Sequence, residues 1–167
     1  MKDFLLLVVF PTIVIYSAVS DLLRMTISNR VCLGLTLAFG VMAVYTGMSW
    51  TEAGWHLLAA FIVLVVSFSC FAFGWIGGGD AKITAATALW FGFDHLLAYL
   101  IIGSFFGGFL TLGILKMRSL PLPRFAATQP WIVRLHDTKT GIPYGIALAI
   151  GALAVYPDTG WMQVVGI

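Results

Sequence analysis

Residues 55–76 read WHLLAAFIVLVVSFSCFAFGWI, a run without one Asp, Glu, Lys or Arg. About 20 apolar residues rising 1.5 Å each cross a hydrocarbon layer roughly 30 Å thick, so this stretch predicts a membrane span. In lipid the backbone must satisfy its own hydrogen bonds, which predicts helix rather than strand. Working outward, five further stretches have the same character: 4–20 and 31–48 before it, and 82–93, 96–115 and 142–156 after it. The reading is an all-α polytopic membrane protein. It is a six-helix transmembrane bundle with a short fourth helix, in a single domain over 1–167 with no separate soluble domain.

Composition supports this. Apolar residues make up 60% and charged residues 10% of the chain, and mean hydropathy is +1.01. So few charges cannot cover a water-soluble domain of this size, which argues against a soluble enzyme or a disordered tail. A scattered net charge of +2 does not suit nucleic acid. Cys32 and Cys70 form no CxxC and no disulfide framework.

The connections are asymmetric in charge. The first (21–30), the third (77–81, with Lys82 at its edge) and the fifth (116–141) carry eight of the nine basic residues, Arg124 among them. The other side keeps only Lys2. Basic residues mark the cytoplasmic face, so these three connections are expected inside and both termini outside. Ala18-Val19-Ser20 resembles a signal cleavage site. With only Lys2 leading it, offset by Asp3, a retained helix is the preferred reading. Trp50, Trp55, Trp75, Trp131 and Trp161 sit at or near segment ends, as an aromatic belt would. Gly103 and Gly107 have the spacing of close helix packing. The long basic fifth connection reads as a topology anchor attracted to anionic lipid.

Carboxylates at membrane depth are costly and usually functional. Asp3, Glu52, Asp94 and Asp158 map to the outer side, and Asp137 to the basic fifth connection beside Arg134 and Lys139. All five read as solvated. Asp21 and Asp80 remain, one directly after the first stretch and one directly before the fourth. Both are expected at the cytoplasmic ends of their helices, at similar depth, where they could face each other. Two apposed carboxylates in a weakly polar pocket do not both ionise easily. One can hold a proton while the other acts as base on a shared water. That suits aspartyl hydrolysis of a peptide bond. Gly77, Gly78 and Gly79 precede Asp80, and backbone without β-carbons lets a substrate strand approach.

Here the sequence resembles a known family. Gly77-Gly78-Gly79-Asp80-Ala81-Lys82 is similar to the GxGD-x-K signature of type IV prepilin peptidases. The stretch from Asp21 through Arg24 to Ile27-Ser28-Asn29 resembles that family's first-aspartate loop. Ile142-Pro143-Tyr144-Gly145 resembles its Ile-Pro-aromatic-Gly element. The resemblance implies a membrane aspartyl endopeptidase of the bacterial inner membrane that removes the short leader of prepilins or pseudopilins at the cytoplasmic face. It implies Asp21 and Asp80 as the catalytic pair. It also implies Gly77, Gly78, Gly79, Lys82, Arg24, Asn29, Pro143, Tyr144 and Gly145 as motif or substrate-binding residues. Beyond membrane lipid it implies no cofactor, no metal and no nucleic acid. Ser28 stands where the family usually has Pro, with little expected effect. The large insertion with paired CxxC motifs is absent, which excludes a metal-bound cysteine domain. This compact form resembles the enzymes of tight-adherence (Flp-type) pili, and also archaeal preflagellin peptidases; overall likeness favours the former.

Other chemistries fit less well. His56 and His95 map outside and His136 inside, so they are not expected to converge on a metal. Ser67, Ser69 and Ser104 lack a histidine at helix depth to serve as base. A proton-coupled small transporter or channel subunit could use the same two acids. Such proteins place key charges near the bilayer midplane, whereas Asp21 and Asp80 sit at helix ends. A structural scaffold for pilus assembly would need neither acid.

Overall fold

The computed structural model describes residues 2–123 and 126–164, leaving out the side chains of Lys2 and Asp3. Arg124 and those two side chains, all used in the charge argument, lie outside the described residues. The described chain is helical without strands. Its helices are α1 (Lys2–Arg24), α2 (Asn29–Thr46), α3 (Trp50–Ala72), α4 (Gly78–Arg118), α5 (Pro130–His136), α6 (Gly145–Val155) and α7 (Gly160–Gln163).

Local chemistry sets the early boundaries. After α1 the chain turns at Met25, which holds a left-handed φ of 55°, and its N–H closes on the Asp21 carbonyl at 2.7 Å. Ser28 caps α2, its hydroxyl accepting the Arg30 N–H at 3.2 Å. The Ser28 φ of −66° is the value proline would impose, and the hydroxyl adds a cap that proline lacks. Ser49 caps α3 in the same way, accepting the Glu52 N–H at 3.2 Å.

Among the described residues, four helices are long and apolar enough to cross a membrane: Phe4–Arg24, Asn29–Thr46, Trp50–Ala72 and Gly78–Arg118. Gly145–Asp158 is a shorter apolar helix. The count of six separate spans is therefore not confirmed. Residues 82–93 and 96–115 both fall inside α4, which is interrupted at Gly92 (φ 57°, ψ −163°). This combination is open essentially to glycine alone. A straight helix of 41 residues would run about 60 Å, twice the hydrocarbon thickness. Instead the two arms pack side by side. Leu96 packs against Ala85 and Ala88, and the Tyr99 ring lies 5.2 Å from that of Phe91. The fold-back returns both ends of α4 to the same end of the bundle.

Breaking a helix in an apolar setting leaves carbonyls to satisfy. Side chains from neighbouring elements do so here. His56 of α3 meets the Leu89 carbonyl through Nδ1 at 2.7 Å, and Trp161 of α7 donates Nε1–H to the Trp90 carbonyl at 2.7 Å. The core gathers at this break: Phe10 stacks on Tyr156 at 4.3 Å, and fully buried Trp90 donates to the Leu35 carbonyl at 3.0 Å. Trp161 is therefore a buried core residue rather than part of an aromatic belt, whereas Trp50, Trp55 and Trp75 are exposed. The second arm of α4 packs on α6 through glycines. A β-carbon at Gly151 would come within 2.8 Å of the Gly103 nitrogen, and one at Gly107 within 2.7 Å of the Tyr144 ring.

Candidate active site

Asp21 lies in the last turns of α1, where it is buried. Its Oδ2 accepts the backbone N–H of Gly145 at 2.8 Å. Gly145 opens α6, so this N–H is one of the donors a helix leaves unbonded in its first turn. Asp21 thus caps α6 from α1. The absence of a β-carbon is what permits the approach: one at Gly145 would stand 2.8 Å from Asp21 Oδ2 and 3.0 Å from Asp21 Cβ.

Asp80 lies in the first turn of α4 and is half-buried. A carboxylate suits a helix N-terminus, where free N–H groups and the helix dipole favour negative charge. The side chain folds back over its own entry turn, so a β-carbon at Gly77 would stand 2.9 Å from Asp80 Oδ2. Thr84, one turn on, donates its hydroxyl to the Asp80 carbonyl at 2.7 Å.

Both carboxylates line one cavity of about 830 Å3. Gly77, Gly78, Gly79, Gly141 and Tyr144 also line it, with Trp75 and Ile76 on one side and Leu100, Gly103 and Leu148 on another. The lining thus places two carboxylates among glycines and apolar side chains.

The glycines of 77–79 do more than leave room for a ligand. A β-carbon at Gly79 would press on the Ile27 backbone nitrogen and Cβ, both at 3.3 Å. Gly79 thus lets the connection after Asp21 pack against the start of α4. Lys82 and Asn29 reinforce the same contact, Nζ donating to Oδ1 at 2.8 Å. These two residues bond each other and do not line the cavity. Arg24 is exposed and also lies off the cavity wall. Pro143 is fully buried. Tyr144 shares a 2.8 Å hydroxyl contact with Thr111.

Further residues complete the surroundings. Thr84 and Ser104 line the cavity. Arg134, placed by the sequence beside Asp137, instead donates to the Leu23 carbonyl at 3.1 Å. Asp137 accepts the Lys139 backbone N–H at 2.9 Å. Ser67 and Ser69 bond backbone carbonyls. Cys32 is buried and Cys70 only half-buried. A second cavity of about 440 Å3, by the start of α3, brings together His56, His95, Glu52 and Asp94. His136 sits elsewhere, against the Leu120 carbonyl.

Comparison with known proteins gives one match. The sequence profile of the type IV leader peptidase family matches residues 8–112, a span that includes both Asp21 and Asp80. No curated protein matches the chain, and no solved structure does.

Proposed function

The chain belongs to the type IV leader peptidase family, and on that premise we propose that it is an aspartyl endopeptidase using Asp21 and Asp80 as its catalytic pair. Its substrates on this reading are prepilins or pseudopilins of Flp-type pili, cut between a short leader and the apolar helix that follows. The observation that carries the proposal is the meeting of two carboxylates on one cavity from helices far apart in sequence.

The chemistry follows from that pairing. One carboxyl holds a proton and the other is ionised. The ionised partner takes a proton from water as the water oxygen attacks the scissile carbonyl carbon. The protonated partner donates to the carbonyl oxygen, which stabilises the tetrahedral intermediate. Collapse breaks the C–N bond, and a proton passes from the dyad to the leaving amine. The pair acts as a unit, so the acid and base roles are not divided between the two residues.

Charge supports the placement at a cytoplasmic membrane face. Arg24, Arg30 and Lys82 flank the two acids in sequence, Lys116 and Arg118 close α4, and Arg134 and Lys139 follow in the connection to α6. The same basic surface would hold the membrane through anionic lipid.

The test is co-expression with candidate prepilins, reading leader removal by mass. Asp21→Asn and Asp80→Asn should each abolish processing while the protein still inserts. Normal processing by either variant would reject the dyad.

A further inference from the structure

The bond from Gly145 to Asp21 depends on where the chain enters α6. That entry, Gly141 to Tyr144, follows the long fifth connection. Arg118, in the last turn of α4, grips the end of this connection through Nε and Nη2. Nε donates to the Leu135 carbonyl at 2.8 Å. Nη2 reaches the Thr140 carbonyl at 3.2 Å, the Thr140 hydroxyl at 3.3 Å and the Gly141 carbonyl at 2.9 Å.

All four acceptors are neutral, and among the described residues no carboxylate pairs with this half-buried guanidinium. A planar fork is matched here to a set of oxygens rather than to a countercharge. The segment is tightened from its other side. The Thr140 hydroxyl donates to the Arg134 carbonyl at 2.6 Å, and Arg134 in turn donates to the Leu23 carbonyl, two residues beyond Asp21. Because α4 folds back at Gly92, its far end carries Arg118 to the same end of the bundle as Asp80 at its start.

We propose that Arg118 is a positioning residue for the aspartate pair: it fixes the Thr140–Gly141 backbone so that the Gly145 N–H stays aimed at the Asp21 carboxylate. This rests on the peptidase reading given above. It assigns Arg118 a task that topology or lipid attraction would not require, since those need only a positive charge.

The experiment compares Arg118→Lys, Arg118→Ala and Lys116→Ala in the full-length protein, with leader cleavage and amide hydrogen exchange measured side by side. Both Arg118 variants should lower kcat by about 10-fold or more, because small misplacement of a reacting group is costly. KM should stay within about two-fold of wild type. Lysine keeps the charge but not the fork, so it should not rescue. Lys116→Ala, which removes a neighbouring charge, should cleave like wild type. Exchange across 141–145 should quicken about 10-fold in both Arg118 variants, with protection of α1 to α3 unchanged. Wild-type kcat in Arg118→Lys, or a raised KM at constant kcat, would overturn the proposal. So would unchanged exchange across 141–145. A wild-type protein that cleaves no prepilin would count against the peptidase reading, and the exchange result would still decide the role of Arg118.

Discussion

The Asp21 carboxylate and the Gly145 backbone N–H, 124 positions apart in the chain, meet at 2.8 Å. This bond joins the end of the first helix to the start of the sixth. It fixes one carboxyl oxygen of Asp21 and leaves the other open to the cavity shared with Asp80. An acid that must act on water and substrate gains from being held in one rotamer, because positioning lowers the entropy cost of the reaction.

Gly145→Ala tests that contact. The added methyl would stand 2.8 Å from Asp21 Oδ2 and 3.0 Å from its Cβ, so the carboxylate must shift from its present position. Leader cleavage should fall about 100-fold, with a lower thermal midpoint. An alanine variant that cleaves at the wild-type rate would show that this bond does not position the acid.

The proposed dyad predicts a bell-shaped pH–rate profile. At low pH both carboxyls are neutral and no base remains to activate water. At high pH both are ionised and no acid remains to protonate the carbonyl oxygen. The rate should peak where one proton is shared between them, with the two limbs belonging to the pair. A rate that is flat across the acid range would count against shared-proton chemistry.

The Lys82–Asn29 bond ties the connection after Asp21 to the helix that carries Asp80. Lys82→Met and Asn29→Ala should each slow cleavage several-fold, and the double variant should be no slower than the worse single one. Additive losses would mean that the two residues act separately, for instance on substrate or on lipid phosphate.

Gly92 makes the fold-back of α4 possible. Gly92→Ala places a β-carbon 3.1 Å from the His56 ring at a φ of +57°. The expected cost is about 1–3 kcal/mol from the backbone alone, seen as a lower thermal midpoint. An unchanged midpoint would show that the break tolerates a side chain.

Much of this was legible in the sequence. Residues 55–76 announced a span because an uncharged apolar run has no other stable solvent. The acid near the start of α4 obeys a rule confined to a few neighbouring residues; the serine caps at Ser28 and Ser49 obey equally local rules but emerged only from the structure. Asp21 and Asp80 were picked out by type and position, Gly79 by its place just before Asp80, and Gly145 by its resemblance to the prepilin peptidase motif. Their contacts were not. Gly79 was read as an opening for substrate, yet its missing β-carbon also admits Ile27. Trp161 was read as a belt residue, yet its indole closes the open carbonyl of Trp90. Arg118 and Arg134 looked like charge for a membrane surface, yet they spend their donors on backbone carbonyls.

By itself, then, the sequence determined that this protein is helical and membrane-embedded, and which two acids stand at helix ends. Capping acts within one turn and hydropathy within one span of about 20 consecutive residues, so composition and spacing suffice to express them. Only the tertiary structure decided that α4 doubles back at Gly92, that both acids reach one cavity, and that the entry to α6 lies under the fork of Arg118. Those outcomes depend on a single left-handed glycine and on hydrogen bonds across long sequence separations. Their partners are chosen by packing, which no local pattern encodes.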